Sequence, residues 1–212
     1  MNAVKVKICG IQSYEEAKFC IIVGANFLGF NFVPTSKRFI KHVKAKKIIE
    51  NLKFYSSALN NIRKVGVFQN EILNIVEKII SYLNLDFVQL HGSESPKYAS
   101  LIKNAGIIKT IPLEADFDVR GSIREMKKYS VSYFLFDRKV QGKGKLLNMH
   151  KIGLLSSAFP IILAGGLNSR NILEAIKLAH PQIVDVAGGV ETDGVKDKNK
   201  IAKFIQILNK YH

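Results

Sequence analysis

The chain is poor in cysteine and poor in negative charge. Only two of its 212 residues are cysteines, Cys9 and Cys20. Two thiols make no disulfide framework, so a reducing cytoplasm is the expected setting. Cys20 falls in an apolar helical stretch and reads as core, which leaves Cys9 as the free thiol. No apolar run is long enough to span a bilayer, and the N-terminus lacks the long apolar region of a signal peptide. A membrane is therefore not an expected partner. There is also no Pro/Ser-rich linker and no low-complexity tract. With 47% hydrophobic residues the chain can fill one core, and residues 1–212 read as a single domain.

Acidic residues number 17 against 32 lysines and arginines, a net charge of +15. Such an excess fits a nucleic-acid or anion-binding surface. The lysines are scattered, however, with only short clusters such as Lys44, Lys46, Lys47 and Lys196, Lys198, Lys200. Aromatic residues are not interleaved with them as in a single-strand binder. The charge reads as solvated helix faces, nucleic acid is not expected, and steering of a small anionic substrate is compatible with it.

What is present is a strict alternation of two patterns. In residues 3–18, Val4, Val6 and Ile8 share one face of a strand, and Lys5, Lys7 and Cys9 share the other. Ser13 and Glu16 form a capping box that starts a helix. Cys9 thus stands at the carboxyl end of a strand, where sheets built from βα units carry their chemistry. The alternation repeats. Strands are expected near 4–9, 27–32, 64–69, 86–91, 107–111, 132–137, 160–165 and 183–187, and helices near 13–24, 43–58, 71–83, 95–105, 119–129, 149–157, 169–179 and 197–210. The strands are rich in Val, Ile, Leu and Phe, as in a parallel sheet covered by helices. The fold class is α/β, and eight units in this length fit a single (β/α)8 TIM barrel. An open doubly wound sheet competes, but no GxGxxG follows the first strand.

Polar residues that point into such a barrel call for explanation. Strand 4 aims Gln89 and His91 the same way, strand 6 ends on Asp137, and Asp185 on strand 8 faces opposite to Val184 and Val186. Strands 1 and 8 are neighbours in a closed barrel, so Lys7 and Asp185 are expected to pair inside it. Two glycine pairs, Gly165-Gly166 and Gly188-Gly189, follow strands 7 and 8. Glycine lets backbone N–H groups approach an anion, and these loops are the usual phosphate site of the fold. One pair alone would read as a tight turn, but two on adjacent strands favour phosphate. Asn168 is a plausible N-cap for the helix that follows. After strand 2, Pro34, Ser36, Lys37 and Arg38 make either a solvated basic loop or one whose guanidinium grips a carboxylate.

The segments KICGI (7–11), GFNFVPTSKRFI (29–40), VGVFQNE (65–71), VQLHG (88–92), FLFD (134–137), LAGGLN (163–168) and VDVAGGVE (184–191) together resemble the motifs of the phosphoribosylanthranilate isomerases of tryptophan biosynthesis. The resemblance runs in order from residue 7 to about 191. It implies a (β/α)8 barrel that works without a cofactor or metal on a small phosphorylated substrate. The implied reaction is an Amadori rearrangement, from N-(5-phosphoribosyl)anthranilate to 1-(2-carboxyphenylamino)-1-deoxyribulose 5-phosphate. It puts the general base on Cys9, the general acid on Asp137, the anthranilate-carboxylate ligand on Arg38 and the phosphate on Gly165, Gly166, Gly188 and Gly189. Gln89, His91 and Asp185 are taken as further substrate-binding residues. A monomer or a homodimer is expected, with Phe54, Tyr55 and Leu59 as core or interface.

The chain departs from the family pattern in two places. The loop after strand 6 reads DRKVQGKGKLLNMHKI (137–152) in place of a glycine-rich loop with a Ser or Thr, and Lys143 in it is either a phosphate ligand or solvated. The strand 8 loop reads AGGVE where SSGVE is common. These changes bear on affinity and rate more than on reaction class. Other phosphate-binding barrels, such as a ribulose-phosphate epimerase or a sugar isomerase of histidine synthesis, would need metal-binding histidines or a second catalytic aspartate. Cys9 stands where that aspartate would be. A basic nucleic-acid-binding barrel and a barrel kept only as a binding subunit are the remaining readings.

Overall fold

The computed structural model describes residues 3–52, 62–138 and 147–211. Eight parallel strands close into a barrel in sequence order. They are β1 (Lys5–Cys9), β2 (Phe27–Asn31), β3 (Arg63–Phe68), β4 (Phe87–Leu90), β5 (Gly106–Leu113), β6 (Tyr133–Arg138), β7 (Ile161–Leu163) and β8 (Ile183–Val186). Among the described residues eight α-helices surround them. These are α1 (Tyr14–Ile22), α2 (His42–Leu52), α3 (Leu73–Leu83), α4 (Pro96–Leu101), α5 (Val119–Met126), α6 (Met149–Ser156), α7 (Ile172–Ala179) and α8 (Lys198–Asn209). A short antiparallel ribbon, β9 (Glu191–Thr192) with β10 (Val195–Lys196), leads into α8. The expected positions of Lys143, Phe54, Tyr55 and Leu59 lie outside the described residues.

The period-two pattern decides which side chains fill which layer. Val6 and Ile8 of β1, and Val184 and Val186 of β8, belong to the large core between strands and helices. The opposite faces supply a separate core inside the barrel, made of Phe27, Val65, Ile108, Leu135, Ile162, Ala164 and Ile183. Lys7, Cys9 and Asp185 lie on that inward face. Their register is fixed by ladder pairing, with Lys7 opposite Asp185 on β8 and Cys9 opposite Gly29 on β2.

The capping box at α1 forms as the sequence predicts. Ser13 Oγ accepts from Glu16 N at 3.2 Å, and Glu16 Oε2 accepts from Ser13 N at 3.2 Å. Such a cap contributes about 1 kcal/mol and fixes where the β1–α1 loop ends. Several expected boundaries move: the helix expected over 119–129 ends at Met126, the strand expected over 107–111 runs to Leu113, and three others have a local cause. Strand β7 stops at Leu163, not 165, because Gly165 and Gly166 turn the chain at φ of 86° and 83°. Asn168 caps a turn and not the helix itself: its Oδ1 accepts from Arg170 N at 2.8 Å, and α7 begins only at Ile172. Helix α4 ends at Leu101, since Ile102 is extended and Asn104 adopts φ 62°.

Candidate active site

The carboxyl ends of the strands enclose a cavity of about 640 Å³, within the usual range for a small-molecule site. All ten residues expected from the sequence line it: Cys9, Arg38, Gln89, His91, Asp137, Gly165, Gly166, Asp185, Gly188 and Gly189. They come from β1, the loop after β2, the end of β4 and the residue after it, β6, β8, and the loops after β7 and β8. Closure of the barrel is what brings such distant segments to one mouth.

Cys9 sits on the floor. It is 9% exposed. Burial pushes its thiol up from the ordinary value, and the nearby Lys7 ammonium only partly opposes this. The resting side chain is therefore a thiol at neutral pH. Beneath it lies the expected ion pair, with Lys7 Nζ 3.0 Å from Asp185 Oδ1 and the lysine fully buried. Burial alone would drain the Lys7 charge, but Asp185 and Cys9 outweigh it and hold the ammonium above its usual range. Asp185 thus borders the cavity while one of its oxygens is committed to Lys7.

Gln89 and His91 share the wall from β4. The Gln89 amide nitrogen donates to His91 Nδ1 at 3.2 Å, and Thr110 Oγ1 of β5 lies 3.1 Å from the same nitrogen. With Nδ1 accepting, the neutral ring carries its proton on Nε2. Burial keeps His91 below its usual value, against the opposing field of Asp137. His91 is therefore a neutral donor at pH 7. The loop behind it is pinned by a buried pair that the sequence did not reveal. Lys109 Nζ reaches Glu94 Oε2 at 2.9 Å and the Gly92 carbonyl at 2.6 Å, while Glu94 Oε1 accepts from Asn70 N at 2.8 Å. Breaking such a pair costs about 3–5 kcal/mol because it strands a buried charge. Its two members are 15 positions apart in a chain full of lysine, so no spacing signals it.

Arg38 is built in from several directions. Ser36 Oγ accepts from Arg38 N at 3.1 Å and from Asn31 Nδ2 at 3.0 Å, which folds the loop back on β2. The side chain then crosses Gly10, where a Cβ would come within 2.3 Å of Arg38 Cδ, and Gly10 itself needs φ 82°. Glu191 of β9 grips the guanidinium with two parallel bonds of 2.6 Å, from Nε and Nη2. Lys196 of β10 also binds Glu191. Burial would raise the Glu191 carboxyl, but these two cations hold it below the usual range. Lys196 does not belong to a solvated cluster as its neighbours Lys198 and Lys200 suggested; its side chain is 2% exposed. Hairpin geometry, invisible in the one-dimensional charge pattern, turns it inward.

The glycine pairs form the remaining rim. Among the described residues the N–H groups of Gly165 and Gly166 have no backbone acceptor. Gly188 and Gly189 lie in one 3₁₀ turn. A Cβ on Gly189 would stand 1.8 Å from the Leu167 carbonyl oxygen, so the two loops touch backbone to backbone. Gly189→Ala is expected to lose at least about 1–3 kcal/mol through this clash. At roughly 2–4 °C per kcal/mol for a chain of this size, the Tm falls by several degrees in a thermal melt. An unchanged Tm would mean the loops are not packed in this way. Among the described residues, no three His, Cys, Asp or Glu side chains gather as a metal set, and no helix is long and apolar enough to cross a membrane.

A family profile described as N-(5'-phosphoribosyl)anthranilate (PRA) isomerase matches residues 6–207. The chain belongs to this family. A relative from Bacillus cereus strain B4264, an N-(5'-phosphoribosyl)anthranilate isomerase, is 39% identical over 208 residues, covering 95% of this chain and 96% of its own. The crystal structure of phosphoribosyl anthranilate isomerase from Thermotoga maritima superposes with a TM-score of 0.86 at 33% identity, covering 98% of this chain and 99% of that one. A second isomerase structure, in complex with reduced 1-(o-carboxyphenylamino)-1-deoxyribulose 5-phosphate, gives a TM-score of 0.84 at 32% identity, covering 98% and 99%.

Proposed function

We propose that the cavity converts N-(5-phosphoribosyl)anthranilate to 1-(2-carboxyphenylamino)-1-deoxyribulose 5-phosphate with Cys9 as general base and Asp137 as general acid. The observation that carries this reading is the meeting of a thiol, a carboxyl, an anchored guanidinium and two glycine loops around one 640 Å³ space. The reaction needs each of them. A proton given to the furanose ring oxygen opens the ring to a Schiff base. The positive nitrogen acidifies the proton on C2. A base removes it, and the resulting enolamine tautomerises to the ketone. Asp137 supplies the first proton and the Cys9 thiolate takes the second.

The substrate carries an anion at each end. The phosphate is bound by the N–H groups of the Gly165-Gly166 and Gly188-Gly189 loops. With Ala187 in place of a hydroxyl residue, the backbone carries more of that contact. Arg38 binds the anthranilate carboxylate through the N–H groups that Glu191 leaves over. Glu191 sits between Arg38 and Lys196, so the trio keeps a net positive charge while the fork is held in one orientation. Gln89 orients His91, whose Nε2–H faces the sugar.

The test is the fluorescence of enzymatically generated phosphoribosylanthranilate, which decays when the full chain turns it over. No decay above the spontaneous rate sinks the assignment. In the same assay Arg38→Met is expected to raise KM by about tenfold to a hundredfold, the worth of a hydrogen bond to a charged group, with a smaller change in kcat. A KM within twofold of wild type would remove Arg38 from substrate binding.

A further inference from the structure

Lys7 is an expensive residue to place inside a barrel. It is fully buried, and it faces the similarly buried Asp185. Well-packed apolar residues of the same volume are often neutral or stabilising in place of such a pair. Stability alone therefore gives little reason for this lysine. Its surroundings give another. The 3.0 Å contact with Asp185 is not aligned as a hydrogen bond, so Nζ retains donor capacity that no protein oxygen takes up. The Cys9 thiol shares the space around it and interacts electrostatically with the ammonium. Cys9 follows Lys7 by two positions on the same strand, so both point inward. Both tips lie over Gly29 on β2, where a Cβ would stand 2.9 Å from Cys9 Sγ and 3.3 Å from Lys7 Nζ. The absence of a side chain at 29 is what gives the two groups a shared space.

We propose that Lys7 is a positioning residue for Cys9: its ammonium stabilises the thiolate, and Asp185 moderates that effect by neutralising part of the charge. The proposal rests on Cys9 being the base. During turnover the Cys9 thiolate takes the C2 proton and becomes a thiol, which then releases that proton to solvent. Lys7 stays protonated throughout, as its pairing requires. The other charged or titratable groups that act on this space are Lys196 behind β8, Arg38 from the β2 loop, and His91 and Asp137 across the cavity. Lys7 is the only one of them that shares a strand face with Cys9 two positions away. The opposite sign of its partner makes the arrangement separable by mutation.

The experiment measures alkylation of Cys9 by iodoacetamide across pH 6–11 in the folded full chain, quantified on the Cys9 peptide by mass spectrometry so that Cys20 does not interfere. Lys7→Met alone would strand the Asp185 charge. The informative variants are the double change Lys7→Met with Asp185→Leu, which removes the pair together, and Asp185→Asn. The double variant is expected to move the alkylation midpoint up by about one pH unit, roughly a tenfold slower reaction at fixed pH. Asp185→Asn moves it down. The alkaline limb of kcat/KM follows in the same directions. A midpoint in the double variant equal to wild type overturns the proposal. If the double variant does not fold, Lys7→Met with Asp185→Asn, which removes both charges and keeps the shape of the acid, decides, and a midpoint unmoved or lowered overturns it. Because alkylation does not require turnover, an active Cys9→Ser enzyme defeats the base assignment separately from the role of Lys7.

Discussion

Cys9→Ser is expected to lower kcat by about 10²- to 10⁴-fold, the range for removing a positioned general base. The substitution is small and leaves the floor of the cavity in place. What it removes is an ionisable group. The thiol is already pushed above its ordinary value by burial, with Lys7 opposing. A hydroxyl in the same place does not ionise at any working pH. The sign of the pH effect follows. Only the thiolate accepts a proton, and a raised value makes it scarce near pH 7, so the thiolate fraction rises with pH into the alkaline range while the protonated fraction of Asp137 falls, and kcat/KM of the wild type reports both. In Cys9→Ser the dependence on thiol ionisation is absent. Stopped-flow fluorescence of the wild type and the variant from pH 6 to 10 measures both effects. A variant within tenfold of wild type, or an alkaline limb that survives unchanged in Cys9→Ser, would reject Cys9 as the base.

Asp137→Asn is expected to cost a similar factor for a different reason. Asparagine keeps the shape of the side chain at the end of β6, and it still donates a hydrogen bond through its amide. It cannot hand over a proton to the ring oxygen, so ring opening becomes the slow step. His91 does not substitute for it. Burial keeps the imidazole neutral, and its Nδ1 is already an acceptor for Gln89. KM should change little if Asp137 acts mainly in the transition state. Equal losses in kcat and kcat/KM, with unchanged circular dichroism, are the expected signature. A loss confined to KM would make Asp137 a binding residue and leave the acid to be found elsewhere.

The two roles also separate by what surrounds them. Cys9 lies over a charged floor whose partners are fixed by ladder register, Lys7 opposite Asp185 and Cys9 opposite Gly29. Asp137 lies at a rim, where β6 pairs only through Pro112 and Leu113 of β5 at that level. A buried base and a more open acid suit a reaction that first admits a proton from a wetter side and then removes one in a drier place.

Much of this was legible before any coordinates. Hydrophobic periodicity fixes eight strands and eight helices, because a strand buried on both faces and a helix with one apolar stripe leave different patterns. Alternation within a strand is enough to say that Lys7 and Cys9 share a face, as do Gln89 and His91. Ser13 and Glu16 announce a helix start because the two bonds of a capping box are local. Glycine pairs after β7 and β8 are visible because the chain needs them for left-handed turns at Gly165 and Gly166 and for close approach at Gly189.

Other features depended on the closed barrel. The Lys109–Glu94 pair, the clamp of Glu191 on Arg38 and the inward turn of Lys196 join positions whose separation carries no period. A lysine in a chain with 32 basic residues looks solvated until the hairpin after β8 turns it under the loop. Boundaries such as the start of α7 moved because a side-chain cap on a turn competes with a cap on the helix. The sequence by itself determined the elements, their order, the inward faces and the residue types able to do acid–base chemistry, since all of these follow from local periodicity and side-chain pKa. Only the tertiary structure decided which charges meet, because burial and distance set the ionisation of Cys9, the neutrality of His91 and the anchoring of Arg38, and both are properties of the closed barrel and not of any segment of the chain.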